Sequence, residues 1–290
     1  MSLQVIGDPV LHSKSPLIHG AMLAELGLDI GYTAHVVRRG ELPRYLAWAR
    51  DNGVTGFNAT MPHKEDLVPL LDELDPAARD LGSVNTVCLR DGKWVGFSTD
   101  GGGALYALRE GLGLDPAGRA VLLLGAGGAA RAVALELARA GAERVYVCNR
   151  TLSRAEALCA RDPSGRLSPA GFDPDTLRRL AGGAQLLVNC TSLGMEGCPH
   201  QFEDFGFLDA LPDNAGVFDL IYHPGETQLL ARARRRGLST LNGLPMLVGQ
   251  AVLALEHFLD RPLDRRAMAA AATARVCSFF LKEKGAEKEL

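Results

Sequence analysis

The chain has 290 residues, more than the roughly 100–200 of a typical domain, so two domains are expected. Hydrophobic residues make up 47% and charged residues 22%, which excludes extensive disorder. With 31 Lys and Arg against 34 Asp and Glu, the net charge of -3 provides no basic field for nucleic acid.

Met1 to Pro9 lacks a basic segment followed by an apolar run, and no apolar stretch reaches about 18 residues, so neither export nor membrane insertion is expected. A cytoplasmic location follows as the expectation. The six cysteines, at 88, 148, 159, 190, 198 and 277, have no C-x-x-C spacing and read as reduced, mostly buried thiols. Cys198 and His200 are half a metal site at most, and no metal is expected.

The first hundred residues alternate strand-like runs, Leu3 to Ile6, Tyr32 to Val36 and Gly56 to Thr60, with segments of helical periodicity. Ser15-Pro16 reads as a helix N-cap with a first-turn proline, ahead of the apolar face Leu17, Ile18, Met22, Leu23 and Leu26. The loop His12-Ser13-Lys14-Ser15 therefore sits at a helix N-terminus. Val84 to Leu89 and Trp94 to Phe97 flank a hairpin turn, after which Asp100 opens a Gly-rich helix.

From Arg119 onward the strands Ala120 to Leu124, Arg144 to Cys148, Leu186 to Asn189, Val217 to Ile221 and Leu238 to Leu241 alternate with helices such as Ala129 to Ala140 and Thr227 to Arg236. That alternation predicts a parallel sheet covered on both faces. Helices are expected at Met246 to Leu259 and Arg265 to Leu281, packing back onto the first domain, and the charged tail from Lys282 is expected to fray. The fold class is α/β. A discontinuous substrate domain, 1–103 completed by the helices of 242–290, carries an inserted Rossmann domain, 104–241.

Gly125-Ala126-Gly127-Gly128-Ala129-Ala130 follows a strand and opens a helix, the context of a dinucleotide-binding loop. Gly125 permits the tight turn, Gly127 lets the backbone approach a pyrophosphate, and Ala130 allows close helix packing. The end of the next strand selects the dinucleotide. A carboxylate there would bind a free ribose 2'-hydroxyl, whereas this chain has Asn149-Arg150-Thr151 and then Arg154, which suit a 2'-phosphate. NADP(H) is the expected cofactor.

Asn58 to Lys64 ends a strand in polar residues and a proline, and places Lys64 at a helix opening. That position disfavours its positive charge, which makes it a useful proton donor and acceptor. Ser13, Ser15, Thr60, Asn85, Asp100, Tyr222 and Gln250 are further polar residues at strand ends and helix starts with little evident stabilising role.

Through Val5-Ile6-Gly7 with His12 to Pro16, Asn58 to Lys64, Gly82 to Val87 and Ser98 to Gly101, the chain resembles the shikimate dehydrogenase family. The likeness continues through Gly125 to Ala130, Asn149 to Thr151 with Arg154, Thr191 to Met195, Asp219 to Tyr222 and Gly243 to Gln250. It implies NADP-dependent interconversion of shikimate and 3-dehydroshikimate, on the way to chorismate and the aromatic amino acids. It also implies Lys64 and Asp100 as the catalytic pair, with Ser13 and Ser15, joined by Tyr222, on the substrate carboxylate. Thr60, Asn85 and Gln250 join the catalytic pair around the ring hydroxyls. Thr191, Leu220 and Gly243 face the cofactor.

The implied site lies in a cleft between the domains, on a monomer or homodimer. Three departures bear on substrate preference: Ser98 stands where the family commonly has Asn, Ala59 where it has Val, and Pro245 where it has Gly. A relative acting on quinate or an aminated shikimate shares these motifs. A non-catalytic NADP-binding sensor would be expected to have lost one of Lys64 and Asp100, and both are present.

Overall fold

A computed structural model gives the structure of the chain over residues 1–286, with side chains described to residue 281. In chain order the first elements are β1 (Ser2–Gly7), α1 (Ser15–Glu25), β2 (Gly31–Val36), α2 (Leu42–Asp51), β3 (Val54–Ala59) and α3 (His63–Asp66). After a short 3-10 turn come β4 (Glu73–Leu74), α4 (Pro76–Leu81), β5 (Thr86–Arg90), β6 (Lys93–Phe97) and α5 (Asp100–Leu112). Then follow β7 (Ala120–Leu124), α6 (Gly128–Arg139), β8 (Arg144–Cys148), α7 (Leu152–Cys159), β9 (Leu167–Ala170), α8 (Pro174–Ala181) and β10 (Leu186–Asn189). The last are α9 (Gly206–Ala210), β11 (Gly216–Asp219), α10 (Gln228–Arg235), β12 (Ser239–Leu241), α11 (Leu244–Leu259) and α12 (Arg265–Ala286). The chain divides into two compact units, Met1–Thr99 with Val248–Leu290, and Asp100–Leu247. The break falls within α11 rather than before it.

The first unit is built on a mixed sheet in the order β2-β1-β3-β5-β6-β4, with β1 parallel to both neighbours and the β5/β6 hairpin antiparallel. Leu42, Tyr45, Leu46 and Ala49 of α2 bury against Phe57 and Trp94 on one face. Gly56 clears space for the C-terminal helices: a Cβ there would lie 2.5 Å from the Phe258 ring. His257 stacks on Phe97 at 4.0 Å, Asp260 pairs with Arg90 at 2.7 Å, and α12 lies along α1. The first unit is thus completed by the end of the chain.

The second unit holds an all-parallel sheet in the order β12-β11-β10-β7-β8-β9. Its central strands β7, β10 and β11 are almost wholly buried and mostly apolar, as cover on both faces requires. Strand order reverses between β7 and β10, so this is the doubly wound arrangement whose ligands bind beyond the strand ends at that switch point.

Several expectations change. Ser15 is not the N-cap of α1; Lys14 is, and no side chain caps the helix. The edge strands β4 and β9 were not foreseen. The first has only two residues, and the second contains Pro169, a residue tolerated at a sheet edge because no outer partner needs its missing N–H. Only Cys88 and Cys148 are buried, Cys277 is exposed, and all six thiols are free. Helix α12 runs on to Ala286 where fraying was expected, and residues 287–290 lie outside those described.

A buried histidine of α1, packed against the first sheet, gives the fold a pH response. His19 of α1 is buried at 1% exposure, stacked on Tyr32 with centroids 4.2 Å apart, and its Nδ1 has no partner. Burial pulls its pKa from 6.5 down to about 3, against a raising hydrogen bond with Asn58. Below 6.5 the unfolded chain takes up a proton that the folded chain refuses until about 3, so stability is complete above that window and is lost as pH falls through it. Urea unfolding between pH 4 and 7 should show His19→Phe losing up to about 1.4 kcal/mol per pH unit less than wild type. Parallel curves for the two would contradict the buried neutral imidazole.

Candidate functional site

In the first unit the chemistry-bearing residues gather where β1 and β3 end and β5 begins. Gly7 closes β1, and a Cβ on it would lie 2.5 Å from Thr60 Cγ2, so glycine allows the turn after β3 to fold over the strand end. Thr60 N–H donates to Ile6 O at 2.9 Å, and Thr60 O accepts from His63 N–H at 3.0 Å, which starts α3. Lys64 follows in α3, and its carbonyl accepts from Val84 N–H at 2.8 Å. The imidazole of His63, fully buried, bonds Val37 O at 2.7 Å and anchors the short helix.

Asn85 is buried at 4% exposure and holds two segments together. Its Oδ1 accepts from Thr99 N–H at 2.9 Å and from the Thr86 hydroxyl at 3.1 Å, and its Nδ2 donates to Thr99 Oγ1 at 3.0 Å. Asn58 Nδ2 donates in turn to Asn85 O and to Thr86 Oγ1, both at 3.0 Å, and the Tyr32 hydroxyl donates to Asn58 Oδ1 at 2.6 Å. The Ser15 side chain lies near the Tyr32 phenol. Burial raises the Tyr32 phenol well above its usual range, so it stays protonated as this donor. Ser15 in turn accepts from the Ser13 hydroxyl at 3.1 Å, and Ser15 N–H donates to Ser13 Oγ at 3.2 Å. One buried relay therefore runs from Tyr32 to Thr99, the residue before Asp100, with the serine loop near its Tyr32 end.

Ser13, Ser15, Thr60, Lys64 and Asn85 thus all belong to the first unit, as does Gln250 in α11. Ala59 is buried beside them and donates its N–H to Asn85 O at 2.9 Å. Pro245 falls in the first turn of α11, where proline is accommodated.

In the second unit Asp100 opens α5, and Gly101 lets that helix approach α6: a Cβ there would lie 2.8 Å from Ala132 O. Gly125 follows β7 at φ 105°, donates to Cys148 O at 2.8 Å, and a Cβ on it would lie 3.2 Å from both Cys190 O and Thr191 Cγ2. Only glycine suits that turn. Gly127 and Gly128 lead into α6, and a Cβ on either meets nothing within 4 Å, while Ala130 is wholly buried. The α6 N-terminus thus presents amides beside open space, the cradle that a pyrophosphate needs.

At the end of β8 the Asn149 amide donates to Thr151 O at 2.9 Å, which shapes the turn into α7. Arg150 and Arg154 are exposed and form no ion pair among the described residues. Two cations without carboxylate partners fit a phosphate better than a bare ribose.

Thr191 is fixed beyond β10 by Asn189, whose Oδ1 accepts from the Thr191 hydroxyl at 2.7 Å and from its N–H at 3.0 Å. Asn189 Nδ2 donates to the buried Asp219 at 3.0 Å, and Asp219 also accepts from the Thr227 hydroxyl at 2.6 Å. Burial raises the Asp219 carboxyl, opposed by these bonds and by Ile221 N–H. Leu220 and Gly243 meet at close quarters. A Cβ on Gly243 would fall 1.9 Å from Leu220 O, so no side chain fits there. Tyr222 lies just beyond, 37% exposed.

Sequence reasoning did not single out Tyr32, Asn189 or Thr227. The available signal was a polar residue inside or bordering a strand or helix, which has no fixed spacing. No group of three or more His, Cys, Asp and Glu among the described residues is arranged to hold a metal ion. No described helix is long and apolar enough to cross a membrane.

Family models match the chain twice: the shikimate dehydrogenase substrate binding domain over residues 5–87, and shikimate / quinate 5-dehydrogenase over 110–177. The shikimate dehydrogenase (NADP(+)) of Symbiobacterium thermophilum is 43% identical over 93% of each chain. Among solved structures, shikimate 5-dehydrogenase from Thermus thermophilus, in complex with NADP(H) and shikimate, is 38% identical with a TM-score of 0.80, over 95% of this chain and 99% of that one. Quinate dehydrogenase from Corynebacterium glutamicum, in complex with NAD, is 31% identical with a TM-score of 0.84, over 94% and 99%.

Proposed function

The chain belongs to the shikimate dehydrogenase family, and from that premise we propose that it interconverts shikimate and 3-dehydroshikimate with NADP(H), a step towards chorismate and the aromatic amino acids. The observation that carries the reading is the open glycine loop at a sheet's switch point, followed after β8 by arginines without carboxylate partners. The amides of Gly125 to Ala130 hold the pyrophosphate, Asn149, Arg150, Thr151 and Arg154 hold the adenosine 2'-phosphate, and Thr191, Leu220 and Gly243 border the nicotinamide. When bound, NADP supplies the hydride acceptor, and NADPH the donor, for the carbinol carbon.

The chain's own groups handle the rest. Ser13 and Ser15, with Tyr222, bind the carboxylate, and Thr60, Asn85 and Gln250 bind ring hydroxyls. Lys64 delivers the proton to the carbonyl oxygen in reduction and removes it from the hydroxyl in oxidation, while Asp100 orients both. Six free thiols suit a reducing cytoplasm, and the enzyme acts there as a monomer or homodimer.

Steady-state assay of Lys64→Ala should show turnover lowered about 10² to 10⁴-fold with the melting temperature retained. Near-normal turnover removes Lys64 from the chemistry, and a wild type that prefers quinate to shikimate replaces the proposed substrate. Arg150→Ala should raise KM for NADP while leaving that for NAD nearly unchanged, because only the former carries the phosphate that this guanidinium meets. Equal rises would overturn that assignment.

A further inference from the structure

Lys14 stands between the serines assigned to the substrate carboxylate, and that assignment makes no use of it. Its position is unfavourable on general grounds. As the N-cap of α1 it offers no side-chain acceptor to the first turn, and it brings a cation to the helix end whose exposed N–H groups repel one. Whereas the hydroxyls of Ser13 and Ser15 turn to each other at 3.1 Å, Lys14 reaches to the last helix. Its ammonium lies 3.8 Å from the centroid of the Phe279 ring and 5.5 Å from that of Phe280.

A cation within about 6 Å of an aromatic centroid is held by the negative potential of the ring face. The rings stand edge to face, with centroids 5.9 Å apart and planes at 78°. Both belong to α12, which packs along α1. The backbone bonds at the loop are local, from Ser13 N–H to Val10 O at 2.9 Å and from Ile18 N–H to Lys14 O at 3.0 Å. Tyr32 lies near Ser15 on the interior side, and Lys14 ties the loop to α12.

We propose that Lys14 is a positioning residue: seated on Phe279, it fastens the Ser13–Ser15 loop to the C-terminal helix and so keeps both hydroxyls in place for a small carboxylic acid. The inference rests on the reading of that loop as the carboxylate site. It gives the end of the chain a part in substrate affinity and none in hydride transfer.

The test is a set of initial-rate measurements on the full chain with shikimate and NADP. Lys14→Met, which keeps the stem and loses the charge, should raise KM for shikimate about fivefold, the worth of a partly exposed cation–π contact, with kcat and KM for NADP near wild type. Lys14→Arg keeps the cation and should restore the wild-type KM. Phe279→Leu should reproduce the rise, and the Lys14→Met/Phe279→Leu double variant should be no worse than either single change, because both remove one contact. An unchanged KM in Lys14→Met, rises that multiply in the double variant, or equal rises for both substrates would each overturn the proposal. A wild type that forms no NADPH from shikimate defeats the proposed function itself and this inference with it, whereas an active wild type with an indifferent Lys14→Met defeats the inference alone.

Discussion

Two buried amides, Asn58 and Asn85, carry the constraint on which the first unit depends. Asn58 lies at the end of β3 and Asn85 just before β5, where backbone groups run out of ladder partners, and each side chain uses both of its polar atoms there. A buried network of this kind is costly if any member goes unpaired and specific when all are paired. Its members Tyr32, Asn58, Thr86, Asn85 and Thr99 lock the strand ends against each other, with Ser15 near the Tyr32 end and Asp100 one residue beyond the other. The same framework sets the backbone of Thr60 and Lys64. Apolar packing alone, as between α2 and the sheet, would leave these ends free to shift.

The second unit solves the same problem with a carboxylate. Asp219 at the end of β11 is wholly buried and accepts from Asn189, Thr227 and Ile221, so the turns after β10 and β11 are set by one side chain. Against this rigid edge the glycines supply proximity: Gly125 beside Thr191, and Gly243 beneath Leu220 O. The open positions are Gly127 and Gly128. Close packing on one side of the loop and open space on the other is the geometry expected where a backbone must meet a ligand.

Much of this was legible in the sequence because it follows from periodicity and local chemistry. Five of the six strands of the second unit are placed within a residue or two, since continuous apolar runs between helical segments have few other solutions. Local rules failed where a tertiary partner decided the outcome. Ser15 before Pro16 reads as a cap, yet its hydroxyl is taken by Ser13, and a lysine is left at the N-cap with its charge on a ring from the last helix. Strand β9 was hidden by Pro169, and the unit boundary by the continuity of α11. The polar relay was seen only in part: Asn85 stood out, while Tyr32 lay in an ordinary strand pattern.

A crystal structure of the chain with NADP and shikimate bound tests the central claim most directly. The account predicts the carboxylate on the Ser13 and Ser15 hydroxyls, Lys64 Nζ and an Asp100 oxygen each within about 3.2 Å of one ring hydroxyl, and the Asn85 to Thr99 bonds intact. A substrate bound with those serines empty, or an Asn85 that abandons Thr99 on binding, would contradict it.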